Sequence, residues 1–359
     1  MTNPWLLLMP ALVAACCACT PPAPPAQAAA SLPDSTLTPQ DQLRALGLQI
    51  QAKPQDYALR YDRSQLYYQL DSLRQAVSDA DAALGLFPQS PDLHYWRGFL
   101  AYAQSDTARA MQGYREAARL GSQEPEVYYQ MGQLFFFQEK YPQALAYYRK
   151  AMEFNDAEPM YVFAQGFLEE RRGSRSEAVR HYRRAIELDS NFAKAYTQLH
   201  DLYLARFENE DEAMRYNALL LRRQPTHPLA SFNLGSYHLR RAMNIDPERR
   251  PEEFGRHLNE AVAQFTIASN KDPGFLLAWY NRGYSYYLGR QRMQEAIESF
   301  GKVLEIKPDY APACFMLGSI YEQAGDLQTA LGYYRQALQY QPDGDGFREA
   351  VLELESRLR

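Results

Sequence analysis

A chain of 359 residues with 46% hydrophobic content has ample material for a buried core. Its formal net charge of -5 argues against nucleic-acid binding, which draws on a surplus of Lys and Arg to displace counterions from phosphate. No stretch alternates Val, Ile or Thr between turn residues for the length of a strand, so the pattern predicts helices rather than a mixed fold.

Residues 1–15 form an apolar run too short to cross a bilayer, ending in small residues before Cys16, and read as an export signal. Val13-Ala14-Ala15-Cys16 resembles the lipobox of bacterial lipoproteins. That resemblance implies lipidation of Cys16 and an exported protein of the bacterial cell envelope, anchored to a membrane on the periplasmic or outer-membrane side. The first fifteen residues hold no Lys or Arg, and a cleaved but unlipidated signal or a retained apolar segment are the other readings. One acyl chain gives marginal binding at about 0.8 kcal/mol per buried methylene, whereas several would hold stably. Residues 16–39 are rich in Pro and Ala without apolar period, the composition of a disordered tether; Thr20–Pro39 would reach roughly 60 Å if fully extended. Leu43, Leu46 and Ile50 then share one face of an expected leading helix over 40–53.

From Tyr57 a pattern of small and aromatic residues recurs in copies at 57–90, 91–124, 125–158, 159–192, 193–227, 228–275, 276–310 and 311–344. Numbered within the copy, position 20 is always Ala: Ala76, Ala110, Ala144, Ala178, Ala213, Ala261, Ala296 and Ala330. Position 8 is Gly at Gly98, Gly132, Gly166, Gly235, Gly283 and Gly318, with Ser64 and His200 departing. Position 24 is aromatic except at Ala80 and Asn217, and five copies end in Pro at Pro88, Pro225, Pro273, Pro308 and Pro342. Each copy divides into two apolar-striped helices joined by a turn such as Ala324-Gly325-Asp326, and neither helix can cover its stripe alone. The small residues are expected where the second helix approaches the first too closely for a larger side chain.

These positions resemble the tetratricopeptide repeat family. The resemblance implies an all-α fold, a right-handed superhelical solenoid of about eight helix-turn-helix repeats, closed by the leading helix and a C-terminal helix over 346–359. Repeat 5 (193–227) carries His200, Asn217 and Leu220 at packing positions and is the expected weak joint. Repeat 6 (228–275) has extra residues around Arg241–Pro251, either a partner-contacting projection or an elongated helix pair with a solvated tip.

In the resembled family, positions 2, 5, 9 and 12 of each first helix line a concave ligand groove. Here that implies a partner-binding surface of Tyr61, Tyr95, Phe99, Tyr129, Phe163, Phe167, Phe232, Tyr280 and Tyr284, although the family also uses such rings for packing between repeats. The expected function is a non-catalytic scaffold that binds partner proteins or peptides, with aromatic anchors. The alternative is a glycan or peptidoglycan binder whose tyrosines stack on sugars. Lys194, Gln65 and Gln133 do not make the carboxylate clamp of one family subgroup, and the Arg171–Arg184 stretch, interleaved with Glu, reads as a solvated face. No phosphate loop, zinc-protease motif or nucleophile elbow occurs, six scattered histidines imply no metal, and no cofactor is expected. Cys314 reads as a small core residue.

Overall fold

The computed structural model describes residues 38–290, 292–344 and 346–358; the expected signal, Cys16 and nearly all of the tether lie outside the described residues. Among the described residues there are eighteen helices and no strand. A leading helix, α1 (Pro39–Ala52), is followed by the hairpins α2/α3 (Tyr57–Gln69, Leu73–Leu86), α4/α5 (Pro91–Ala103, Thr107–Arg119), α6/α7 (Pro125–Phe137, Tyr141–Phe154) and α8/α9 (Pro159–Arg171, Arg175–Leu188). Then come α10/α11 (Ala193–Arg206, Glu210–Arg223), α12/α13 (Pro228–Met243, Pro251–Lys271), α14/α15 (Leu276–Gly289, Met293–Ile306), α16/α17 (Ala311–Gln323, Leu327–Tyr340) and a last helix α18 (Phe347–Arg357). Two compact units divide the chain between Phe192 and Ala193, so α1–α9 form one and α10–α18 the other. No helix of the described residues is long and apolar enough to cross a membrane.

Local chemistry sets the helix ends. Pro stands in the first turn of α4, α6, α8, α12 and α16, where a missing N–H costs nothing. Ser90, Asp106, Asn209 and Asp326 cap orphan amides of Leu93, Arg109, Glu212 and Thr329. Between the two helices of a repeat the chain turns through the left-handed region at Asp71, Ser105, Glu139, Gly173, Glu208, Arg290 and Gly325. At Glu139 the turn is closed by Glu139 N donating to Phe136 O and Lys140 N to Phe135 O, both at 2.9 Å, which satisfies carbonyls the helix leaves open.

Every position-20 alanine is fully buried. The position-8 glycines, however, do not meet these alanines side chain to side chain. A Cβ on Gly98, Gly132, Gly166, Gly235, Gly283 or Gly318 would strike the position-24 ring of the same repeat, namely Tyr114, Tyr148, Tyr182, Phe265, Phe300 or Tyr334. Glycine makes room for an aromatic plate, and alanine lets the backbone carrying it come close: Ala144 O lies 3.3 Å from the Cβ that Gly132 lacks.

The departures from the pattern are repaired by polar or aromatic substitutes. In repeat 1, where position 24 is only Ala80, Trp96 of the next repeat is buried in the same core. Its Nε1 donates to Ser64 Oγ at 2.7 Å, and Ser64 donates to Ala76 O at 2.6 Å. In repeat 5, buried Asn217 donates from Nδ2 to Ala230 O at 3.0 Å, and His200 Nδ1 lies 2.9 Å from Asp201 Oδ1. The extra residues of repeat 6 lengthen its helices: α12 has 16 residues and α13 has 21, and the tip at 244–250 carries ion pairs Arg249–Asp246 and Arg250–Glu253.

Candidate interaction face

The first helices present positions 2, 5, 9 and 12, and the structure separates packing from exposure among them. Position-5 rings lean on the position-24 ring of their own repeat: Tyr95–Tyr114, Tyr129–Tyr148, Phe163–Tyr182, Phe232–Phe265, Tyr280–Phe300 and Phe315–Tyr334 have centroids 5.2–5.9 Å apart. The ring that glycine admits from one side is therefore held by position 5 from another, a geometry that favours aromatic pairs. Of the nine anchors the sequence suggested, Tyr61, Tyr95, Phe99, Phe163, Phe167 and Phe232 are buried, and their surface goes to packing. Phe99 stacks on Trp96 at 5.1 Å, and Phe167 meets Phe136 at 5.5 Å. Tyr129, Tyr280 and Tyr284 remain half-buried, with Tyr68, Tyr102, Phe136 and Tyr287 beside them at position 12.

Position 34, the last of each repeat, adds a feature that the aromatic survey missed. In repeats 4, 6 and 7 it is an aromatic seated on the position-5 ring: Phe192 on Phe163 at 5.4 Å, Phe275 on Phe232 at 4.8 Å and Tyr310 on Tyr280 at 5.7 Å. In repeats 2 and 3 the same position is Glu124 and Glu158, and position 2 of repeats 2 and 3 is Asp92 and Glu126. Two carboxylates, Glu124 and Glu158, thus enter the register that is aromatic in three other repeats, and two more, Asp92 and Glu126, stand at position 2 of the same repeats. The signal was legible, since the members of each pair lie one repeat apart.

Glu126 Oε1 accepts from Gln130 Nε2 at 2.7 Å and Oε2 from the Tyr161 hydroxyl at 3.2 Å. Glu158 Oε1 accepts from Met160 N at 3.2 Å. Burial pushes the Glu126 carboxyl above the usual range; Gln130 and Tyr161 oppose this, while Glu124 and Glu158 add to it. Burial also raises Glu124, with a further push from Asp92. Burial first, and Glu126 second, hold the phenols of Tyr95 and Tyr161 well above the ordinary tyrosine value. None of the ion pairs described within residues 38–192 engages these four carboxylates.

Elsewhere the chemistry is quieter. Within the Arg171–Arg184 stretch, Arg172, Arg180 and Arg184 pair with Glu169, Glu177 and Glu187 one turn away. Cys314 is fully buried and burial raises its thiol, which disfavours the nucleophilic thiolate. Among the described residues no three His, Cys, Asp or Glu side chains converge on a point fit for a metal ion.

Comparison with known proteins places these hairpins. Residues 61–125, 125–156, 276–310 and 311–343 each match a family model described as tetratricopeptide repeat. The chain is 28% identical over 97 residues to DnaJ homolog subfamily C member 3 of Bos taurus, covering 27% of this chain and 19% of that protein. It is 34% identical over 76 residues to the tetratricopeptide repeat and J domain-containing co-chaperone of Fusarium oxysporum f. sp. lycopersici, covering 21% and 14%. It therefore spans less than a fifth of the length of either curated relative. Among solved structures, the C-terminal part of a repeat-containing protein from Cytophaga hutchinsonii superposes with a TM-score of 0.52 at 15% identity, over 72% of this chain and 99% of that one, a likeness of fold. The four matches fall on hairpins described above, and in those segments the chain carries tetratricopeptide repeats.

Proposed function

We propose that this protein is a scaffold that binds partner proteins or peptides along its first-helix faces, and that it works in the bacterial cell envelope, exported and held to a membrane through a lipidated Cys16. The tetratricopeptide repeats support a protein–protein interaction role, and a co-chaperone is among the proteins that share them. The observation that carries the reading is that each unit keeps half-buried rings on its first helices, Tyr129 in one and Tyr280 and Tyr284 in the other, beside rings already spent on packing. The apolar run ending at Val13-Ala14-Ala15-Cys16 supports the envelope setting.

A photo-crosslinking phenylalanine placed at Tyr129 or Tyr284 tests the face, with the same group at exposed Ala146 or Gly332 on second helices as control. Polypeptide adducts are expected at the first pair alone. Adducts equal at all four sites, or none, would refute the face, and co-sedimentation with cell-wall sacculi in their place would move the reading to a glycan. Mass analysis of the mature N-terminus tests location, with acylated Cys16 expected and an intact or merely cleaved terminus counting against the anchor.

A further inference from the structure

We propose that the cluster of Asp92, Glu124, Glu126 and Glu158 with Tyr61, Tyr95 and Tyr161 is a binding site for the basic side chains, arginine or lysine, of a partner polypeptide. This deepens the reading of the first-helix face as a polypeptide surface and rests on it.

Three observations converge. First, Glu124 and Glu158 stand where repeats 4, 6 and 7 place stacking aromatics, so repeats 2 and 3 exchange favourable packing for half-buried negative charge, to which half-buried Glu126 and exposed Asp92 add. First-turn amides, Met160 N on Glu158 among them, offset part of the cost of that charge, but within residues 38–192 no described ion pair supplies a cation. Second, Tyr61 Oη is buried without a hydrogen-bond partner, in a residue only 6% exposed. Asp92 and Glu124 are near enough for their charge to act on this phenol; Gln65, one turn on, approaches it but lies outside hydrogen-bonding geometry. An ammonium or guanidinium N–H would find there an unoccupied phenol oxygen and carboxylates, the acceptors that favour a cation. Third, the leading segment offers no basic side chain of its own to the site, because residues 1–37 contain no Lys or Arg.

The form of the occupant follows from the spacing. The carboxylates do not converge on one point fit for a metal ion, and they recur one repeat apart along adjacent first helices. An extended chain carrying several cationic side chains matches that arrangement better than a single ion.

The test uses the full chain and fluorescence anisotropy with a labelled peptide of alternating Arg and Ala, against one of alternating Ser and Ala. The Arg peptide is expected to bind at least about tenfold more tightly. Glu124→Gln with Glu126→Gln is expected to lose that preference, and Tyr61→Phe to weaken it several-fold. Glu187→Gln, on the exposed face of α9, removes the same charge elsewhere and should leave binding unchanged. Far-UV circular dichroism confirms that each variant folds, and the amides are expected to be at least as stable as the acids they replace. No preference for the Arg peptide, equal loss in Glu187→Gln, or calcium binding that depends on Glu124 and Glu126 would each overturn the proposal. If crosslinks form at Tyr129 while the Arg peptide shows no preference, the face stands and the cation site falls; if the peptide binds and the variants lose it without crosslinks, the cation site stands alone.

Discussion

Replacing Gly132 by Ala isolates the contact on which each hairpin depends. The new Cβ would lie 2.5 Å from Cδ1 and Cε1 of Tyr148, about 1 Å inside ordinary carbon–carbon contact. Tyr148 cannot swing aside, since it is 1% exposed and the Tyr129 ring sits 5.7 Å away. Overpacking of this kind costs about 1–3 kcal/mol, and an enclosed ring places the cost near the top of that range. Alanine returns about 1 kcal/mol through its better helix propensity, so the net loss should be about 2 kcal/mol. Gly301, in the middle of α15, has no atom within 4 Å of its missing Cβ, and Gly301→Ala should gain about 1 kcal/mol from propensity alone. The two variants make the same chemical change, and their difference of about 3 kcal/mol is the packing cost. Urea titration followed by circular dichroism reads both. Repeat arrays can unfold in parts, so hydrogen exchange of the α6 and α7 amides supplies the local measure. Gly283→Ala, whose Cβ would meet Phe300 at 3.1 Å, should fall between them. A Gly132→Ala midpoint equal to or above that of Gly301→Ala would refute the interlock.

Other expectations follow from single residues. Glu139 is exposed at φ 58°, so Glu139→Gly should raise stability by about 1 kcal/mol in the same titration by relieving left-handed strain. Ser64→Ala leaves the buried Trp96 Nε1 without its 2.7 Å acceptor and should cost about 1–3 kcal/mol, with a shift in tryptophan emission. His238 Nδ1 lies 3.0 Å from His257 Nδ1, and burial first, then His257, lowers His238 below its ordinary value of 6.5, with Arg256 acting in the same sense and Glu260 opposing. The unfolded chain then takes up protons more readily, so stability should hold above about pH 6.5 and fall as pH drops; His238→Gln should flatten that fall in a series of thermal midpoints. Glu126 has the opposite sign. Its raised carboxyl favours the folded state when protonated and loses that advantage as pH rises through the folded value, so Glu126→Gln should melt higher than the parent at neutral pH and match it below about pH 4.

The repeat was legible because its smallest residues are also its most constrained: alanine at position 20 and glycine at position 8 recur where no larger side chain fits, and spacing alone exposes them. What glycine makes room for was not legible, because offsets along one helix do not give the register across to its partner. The structure sets the Tyr148 ring against Gly132 and the Ala144 backbone beside it, so the close approach was legible and the ring that fills it was not. The same gap explains the aromatic anchors. Tyr95 and Tyr129 occupy equivalent positions, yet Tyr95 is 2% exposed and Tyr129 is half-buried. Both lean on a position-24 tyrosine, at 5.9 and 5.7 Å, so the difference comes from the rest of their surroundings, which offsets along one helix do not give. The carboxylates were missed for a different reason. A glutamate at the end of a helical repeat has the composition of a solvated loop, and only the aromatic found there in three other repeats reveals that Glu124 and Glu158 stand in a packing register. A side chain that departs from its register at a cost in desolvation is better evidence of a ligand than an aromatic that conforms to it, because packing accounts fully for the aromatic, whereas the N-cap positions of α6 and α8, held by Glu124 and Glu158, need no acid half-buried beside others.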